Sequence, residues 1–218
     1  MIKKNRYIKT AALAAFLALL IFSTDFKGNL TVRTAAAATG AQPRFSFTVK
    51  TARDIAAEWP DEAKEAADSM LRKYGAPDGI TGSLLIWHDK GPWQEITVKK
   101  DGIDHRFPSP HKDTLEQKVA YEVPVEKFDD LARFDGSLIA ERTSGTLASR
   151  SQSEAMNFLA LNLAHDIITN RRSVEEAREM HADIARAYMK GEQHPYTRGL
   201  RFMAAKIKES RDPDFSPG

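Results

Sequence analysis

The segment SEAMNFLALNLAHDIIT, Ser153 to Thr169, is apolar around nearly its whole helical circumference. Such a helix is stable only when other elements cover it on most sides. Cover is available upstream in LLIW, WQEITVKK and LEQKVAYEV, then in SLIAERT and TLASRS, two runs joined across Ser144-Gly145 as a hairpin. Strands and helices segregate along the chain with no βαβ alternation. This predicts one α+β domain, an antiparallel sheet of hairpins packed against terminal α-helices, over residues 45–208 with a tail at 209–218.

Other elements follow from local chemistry. FSFTV alternates Phe45, Phe47 and Val49 as a short strand would, and TARDIAAEW reads as a helix. PDEAKEAADSMLRKYG has Pro60 at its start, acids in the first turn, Arg72 and Lys73 in the last and Gly75 just beyond, which predicts a second helix. Asp101-Gly102 reads as the end of a strand, and PVEKFDDLARF as a short helix stopping before Gly136. Ser151 with Glu154, and Ser173 with Glu176, are spaced as capping boxes. The helix after Ser173 places Val174, Ala177, His181, Ile184 and Tyr188 on one buried stripe, and YTRGLRFMAAKIK supplies a last short helix.

The N-terminus reads differently. MIKKNRYIKT is positively charged and precedes an apolar run from Ala11 to Phe22, the layout of an export signal. Twelve residues rise only ~18 Å as a helix, short of a ~30 Å hydrocarbon core. Residues 1–38 are therefore expected to be a signal peptide, cleaved near Ala38 or kept as an uncleaved anchor, the chain's only membrane attachment. Residues 39–44 form a flexible lead-in, part of an Ala-, Thr- and Gly-rich stretch from Asn29 to Arg44. The expected location is exported, periplasmic or secreted.

Removing that segment takes away six positive charges and one negative, so the net charge moves from +2 to −3. A mildly acidic remainder lacks the basic face of a nucleic-acid partner. No cysteine is present, so disulfides, thiolate metal sites and a lipidated cysteine are excluded. No glycine-rich phosphate loop occurs, and no G-x-S-x-G elbow surrounds Ser144, Ser149, Ser151 or Ser153.

Two places remain for function. In SLLIWHDKGPWQEITVKK, pairing Ile86 with Ile96 sets Leu84 against Val98 and His88 against Gln94, with Lys90, Gly91 and Pro92 as the turn. His88 then lies at the rim of the core side and Asp89 on the other face, so the two cannot share one ion. Trp87 and Trp93 lean together, away from the Ile86/Ile96 face. A covering helix would make them core, the arrangement favoured by the usual burial of indole. Left open, they form a binding surface for an envelope protein, a peptide or a glycan.

The second place is the Pro-rich stretch with Asp104, His105, His111, Asp113 and Glu116. Imidazole and carboxylate suit zinc or another divalent ion, and His111-x-Asp113 in extended chain puts both side chains on one face. His88 joins if the first hairpin folds back over this stretch. Loosely spaced His and Asp are also ordinary in surface loops, so no cofactor is the simpler expectation. His165 and His181 on adjacent helices read as hydrogen-bonded residues of a helix seam.

KYGAPDGITGSLLIWHDKGPW, FPSPHKDTLEQ, YEVPVEKFDDLARFDGS, ERTSGTLASR and MNFLALNLAHDIITNRRSVEEAR together resemble an exported bacterial protein family with no assigned function. The resemblance spans most of residues 53–203, implies export, and transfers no catalytic residue. The helix, the Gly75-x-Pro77 break and the Trp hairpin are also similar to small outer-membrane assembly lipoproteins over some fifty residues, but the lipidated cysteine of those proteins has no counterpart. The leading expectation is a non-catalytic binding or interaction module of the cell envelope. The alternative is a metal-assisted hydrolase using His105, His111 and Asp113, with His88 as a possible fourth group.

Overall fold

Thr48 marks where ordered helix begins: its hydroxyl accepts the amide of Thr51 at 3.0 Å and opens α1, Val49–Ala56. The computed structural model describes residues 20–24, 30–34 and 47–204. Phe47 and Thr48 are not strand and Val49 is already helical, so over its described residues the expected FSFTV strand is replaced by a cap. Phe45 and the tail 209–218 lie outside the described residues. Within the N-terminal unit, β1 (Leu20–Thr24) and β2 (Leu30–Thr34) pair antiparallel. Part of the expected apolar run and of the stretch after Asn29 is therefore strand; the rest of the signal and the lead-in at 39–44 are outside the described residues. Among the described residues no helix is long and apolar enough to cross a membrane.

The larger unit continues with α2 (Asp61–Tyr74), β3 (Gly79–Thr81), β4 (Leu84–Lys90), β5 (Trp93–His105) and β6 (His111–Ala120). A single 3-10 turn at Val125–Lys127 leads into α3 (Phe128–Phe134), followed by β7 (Leu138–Glu141), β8 (Thr146–Ser151), α4 (Glu154–Ile168), α5 (Val174–Met189) and α6 (Pro195–Arg198). The six strands of this unit form one antiparallel sheet in the order β3-β4-β5-β6-β8-β7. Helices α2 and α4 pack on one face of it. The α+β architecture expected from the sequence is the one observed.

Helix α4 is buried nearly all round, as its composition requires. Asn162 Nδ2 donates to the carbonyls of Tyr196 and Gly199, and Asn157 Nδ2 to the Leu115 carbonyl and Gln117 Oε1, while Asn157 Oδ1 is buried without a partner. The other face of the sheet carries a charged ladder. Glu116 accepts from Lys99 (3.1 Å) and Arg150 (2.7 Å), and Glu95 from Lys118 (3.2 Å). Cross-strand neighbours of opposite charge suit an uncovered face.

The β4–β5 hairpin is shifted by one residue from the expected register. Trp87 pairs with Ile96, Leu85 with Val98 and His88 with Glu95. The cause is the turn: Lys90 pairs with Trp93, so Gly91 and Pro92 alone connect the strands, with Gly91 at φ 57. A glycine at positive φ in the first position is what a tight two-residue hairpin turn favours. One residue of slip exchanges the faces. Trp87 thus shares the core face with Leu85, Ile96 and Val98, while Trp93, beside the turn, is also turned inward and stacks on Phe158; both are 0–1 % exposed.

Burying these indoles requires partners for their N–H groups. Trp87 Nε1 donates to the Gly75 carbonyl at 3.0 Å, and Trp93 Nε1 to Glu154 Oε1 at 2.8 Å. The same carboxylate accepts from Tyr74 Oη, Gln117 Nε2 and Lys73 Nζ. Glu154 was expected to reach back to Ser151 in a capping box. Instead Ser153 caps α4, accepting from the Met156 amide, and the freed Glu154 side chain joins α2, β5 and β6. The Ser173–Glu176 box at α5 forms as expected.

Asp101-Gly102 does not end a strand but sits in a bulge within β5. Val98 pairs with Leu115 and Ile103 with Asp113, so five residue steps on β5 oppose two on β6. The excess is an odd number, which reverses the faces of β5 beyond it. His105, which would otherwise point away from the core side, instead pairs with His111. Gly102 permits the close approach, since a Cβ there would lie 2.7 Å from Thr114 Cγ2 and 3.0 Å from Lys112 Cβ.

Two stability measurements check this account. Gly102→Ala should cost about 1–3 kcal/mol by overpacking, seen as a lowered urea midpoint, whereas Gly82→Ala, with nothing within 4 Å, should change it little. Glu154→Ala should cost about 3 kcal/mol by leaving buried donors unpaired. Burial would raise the Glu154 pKa, but the bonds from Lys73, Tyr74 and Trp93 outweigh it and hold it below the usual carboxylate value. Its contribution is therefore fully present above the unfolded pKa of ~4.3 and lost as pH falls through the lower folded value. The acid side of the stability curve should flatten in Glu154→Gln.

Candidate metal centre

The β5–β6 hairpin closes through residues 106–110 and carries His105, His111 and Asp113 at its end. His105 and His111 are register partners, and their ring centroids are 4.9 Å apart. His111 and Asp113 are two residues apart on one strand and share a face. One donor atom from each of the three lies within 4.8 Å of the others. His111 Nε2 is 3.0 Å from Asp113 Oδ1, and His105 Nδ1 is 3.3 Å from Asp113 Oδ2. Two ligands bound to zinc at 2.0–2.1 Å stand about 3.3 Å apart at the tetrahedral angle.

The protonation of these groups is constrained. His111 Nδ1 lies 2.8 Å from the Ser109 carbonyl and must donate to it, because that oxygen can only accept. Nε2 then either carries a second proton or presents a lone pair directly to the Asp113 carboxylate. A cation, proton or metal, is required between them. Burial alone would lower the His111 pKa, but the Asp113 carboxylate, the Ser109 carbonyl and the charge of Asp135 hold it above the ordinary imidazole value. Meanwhile His105 Nδ1 and Asp113 Oδ1 are buried without a well-aligned hydrogen bond. Unpartnered buried atoms are uncommon in a finished structure, and here two of them belong to a three-donor set.

The two imidazoles form part of the wall of a cavity of about 710 Å3. Asp135, at the end of α3, and His181, on α5, also line it. His105 Nε2 is 3.6 Å from Asp135 Oδ1, and His181 Nδ1 is 4.0 Å from Asp135 Oδ2. His181 is buried, and that burial pushes its pKa down to about 4, so it is neutral at ordinary pH. Phe107 of the connecting loop packs edge-on against His181 at 5.0 Å and lies under the Arg178 guanidinium at 4.0 Å.

The structure brings together three of the four proposed metal ligands. His88 is not among them: it lies on the open face of the sheet, 3.8 Å from Glu95. Asp104 is exposed and paired with Lys112, and Glu116 belongs to the charged ladder. Trp87 and Trp93 are core residues, so the aromatic binding surface considered from the sequence does not exist at these positions. His165 does not meet His181; it bonds Tyr121 Oη at 2.8 Å and stacks on Phe202. Sequence reasoning missed Asp135, which reads as a turn residue before Gly136. It placed His181 on the buried stripe of α5 as a hydrogen-bonded seam residue, whereas its Nδ1 is buried with no hydrogen-bond partner.

No family model, curated protein or solved structure matches the chain. Neither resemblance drawn from the sequence therefore gains a counterpart. All three tryptophans of the chain are buried. Their fluorescence should resist iodide quenching in the folded protein and become accessible only on unfolding; strong quenching of the native state would contradict the burial.

Proposed function

We propose that His105, His111 and Asp113 bind a divalent transition-metal ion, with zinc the best match to the donors, and that the protein is a metal-assisted hydrolase whose substrate occupies the adjoining cavity. One observation carries this reading: the inner nitrogens of both histidines converge on one buried carboxylate, while their outer nitrogens face a carbonyl or a second carboxylate. Ligating histidines typically engage such outer acceptors. Two imidazoles and one carboxylate are a donor set used by catalytic zinc, leaving a coordination position for water or substrate. A purely structural zinc would instead be closed by four protein ligands. The cavity volume lies within the range of small-molecule sites.

A bound divalent ion would supply Lewis-acid polarisation of a substrate oxygen and a more acidic water. The protein's own part is to hold three donors in place and to keep one wall of the cavity apolar with Phe107, Pro108, Met156 and Ala160. The burial of the tryptophans removes one of the supports of the expected envelope-binding module. Export remains a proposal supported by the charged start and the Ala11–Phe22 run.

Protein purified without an affinity tag and loaded with zinc should hold one equivalent by elemental analysis. At a free zinc concentration a hundredfold above Kd, linkage gives about 2.7 kcal/mol of stabilisation, seen as a raised melting temperature. His111→Ala and Asp113→Ala should abolish both effects and any hydrolysis detected with a broad ester, amide and phosphoester panel, while His88→Ala should abolish none. Absence of stoichiometric metal together with an unchanged melting temperature would overturn the proposal.

A further inference from the structure

We propose that Asp135 is the positioning carboxylate of this centre: it fixes the tautomer and orientation of His105, and the His181 side chain packs beside it. The inference rests on the metal reading above but concerns a residue outside the three-donor set. His105 has carboxylates on both sides, Asp113 at Nδ1 and Asp135 at Nε2. With its proton on Nε2, it faces Asp135 as a donor and leaves the Nδ1 lone pair free for an ion beside Asp113. The opposite tautomer would turn a lone pair toward Asp135 and block the ligand position with a hydrogen.

Asp135 is built to stay in place. Its backbone amide closes α3 by donating to the Leu131 carbonyl at 3.1 Å. Its Oδ1 accepts from the Ser137 amide at 2.9 Å and from Ser137 Oγ at 2.8 Å. These bonds hold the carboxylate in place, with the same Oδ1 3.6 Å from His105 Nε2. On the other side, His181 Nδ1 is buried, has no hydrogen-bond partner and lies 4.0 Å from Asp135 Oδ2. His181 is itself packed against Phe107 and Phe134, and Arg178 covers Phe107 while donating to the Phe134 carbonyl. Among the described residues no lysine or arginine is paired with the Asp135 carboxylate, which is buried beside His105 and His181. An unneutralised acceptor of this kind raises the basicity of the ligand it orients.

The test uses the full chain and the metal alone. Asp135→Asn keeps an oxygen for the Ser137 donors but removes the charge. It should weaken zinc binding by about 10–100-fold in calorimetric titration and shift the visible absorption of the Co2+-substituted protein, while the melting temperature without metal stays close to the parent value. Parental zinc affinity and an unchanged Co2+ spectrum in Asp135→Asn would overturn the inference and leave the three-donor site standing. If Asp135→Asn does not fold, Ser137→Ala tests the same anchor from its other end: weaker zinc binding with a shifted Co2+ spectrum supports it, and parental values of both overturn it. A parent protein that binds no zinc removes the metal reading and this inference with it, so the two failures are distinguishable.

Discussion

The Glu154 carboxylate holds the layers of this fold together. It is the first residue of α4, yet its oxygens accept from Lys73 and Tyr74 at the end of α2, from Trp93 at the start of β5 and from Gln117 in β6. A half-buried charge is tolerated only when it is surrounded by donors in this way. Each donor in turn fixes something else. Trp93 sets the inward face of the first hairpin, Gln117 bonds Asn157 inside the core, and Tyr74 lies beside the Gly91 turn. With the sheet pinned against α2 and α4, β5 and β6 extend to a connection at residues 106–110 that packs against α5.

That extension is where chemistry becomes possible. The bulge around Gly102 reverses the faces of β5 and delivers His105 beside His111 and Asp113. Helix α3 brings Asp135 from one side, and α5 brings His181 from another. Four elements therefore meet at one end of the domain, around donors that are only partly satisfied by one another. The stable frame and the unsatisfied site are complementary: rigid strands can hold buried polar atoms in a geometry those atoms would not choose alone.

The sequence made the architecture legible because burial patterns are strong local signals. The all-round apolar α4, the Pro60 start and Gly75 end of α2 and the Ser173–Glu176 box each have a self-contained physical cause. His111-x-Asp113 was readable for the same reason, since alternation in extended chain puts both side chains on one face. The misreadings share a different cause. The hairpin register turned on whether its loop has two residues or three, the Asp101-Gly102 pair has the composition of a turn whether it ends a strand or bulges one, and Glu154 satisfies a capping motif it does not use. The turn itself decided the first, and tertiary partners decided the other two. Asp135 and His181 were not legible as site residues, because their partners lie 30 or more positions away and only the fold joins them.

The most direct measurement of the central claim is X-ray absorption spectroscopy at the zinc edge on protein loaded with one equivalent of zinc. The structure predicts two imidazole nitrogens and a carboxylate oxygen at about 2.0–2.2 Å, completed by a light-atom ligand from solvent. The imidazole outer-shell signal should be lost together with the bound ion in His111→Ala and reduced in His105→Ala. A zinc shell made of water and carboxylate oxygens alone, or one unchanged by both substitutions, would contradict it.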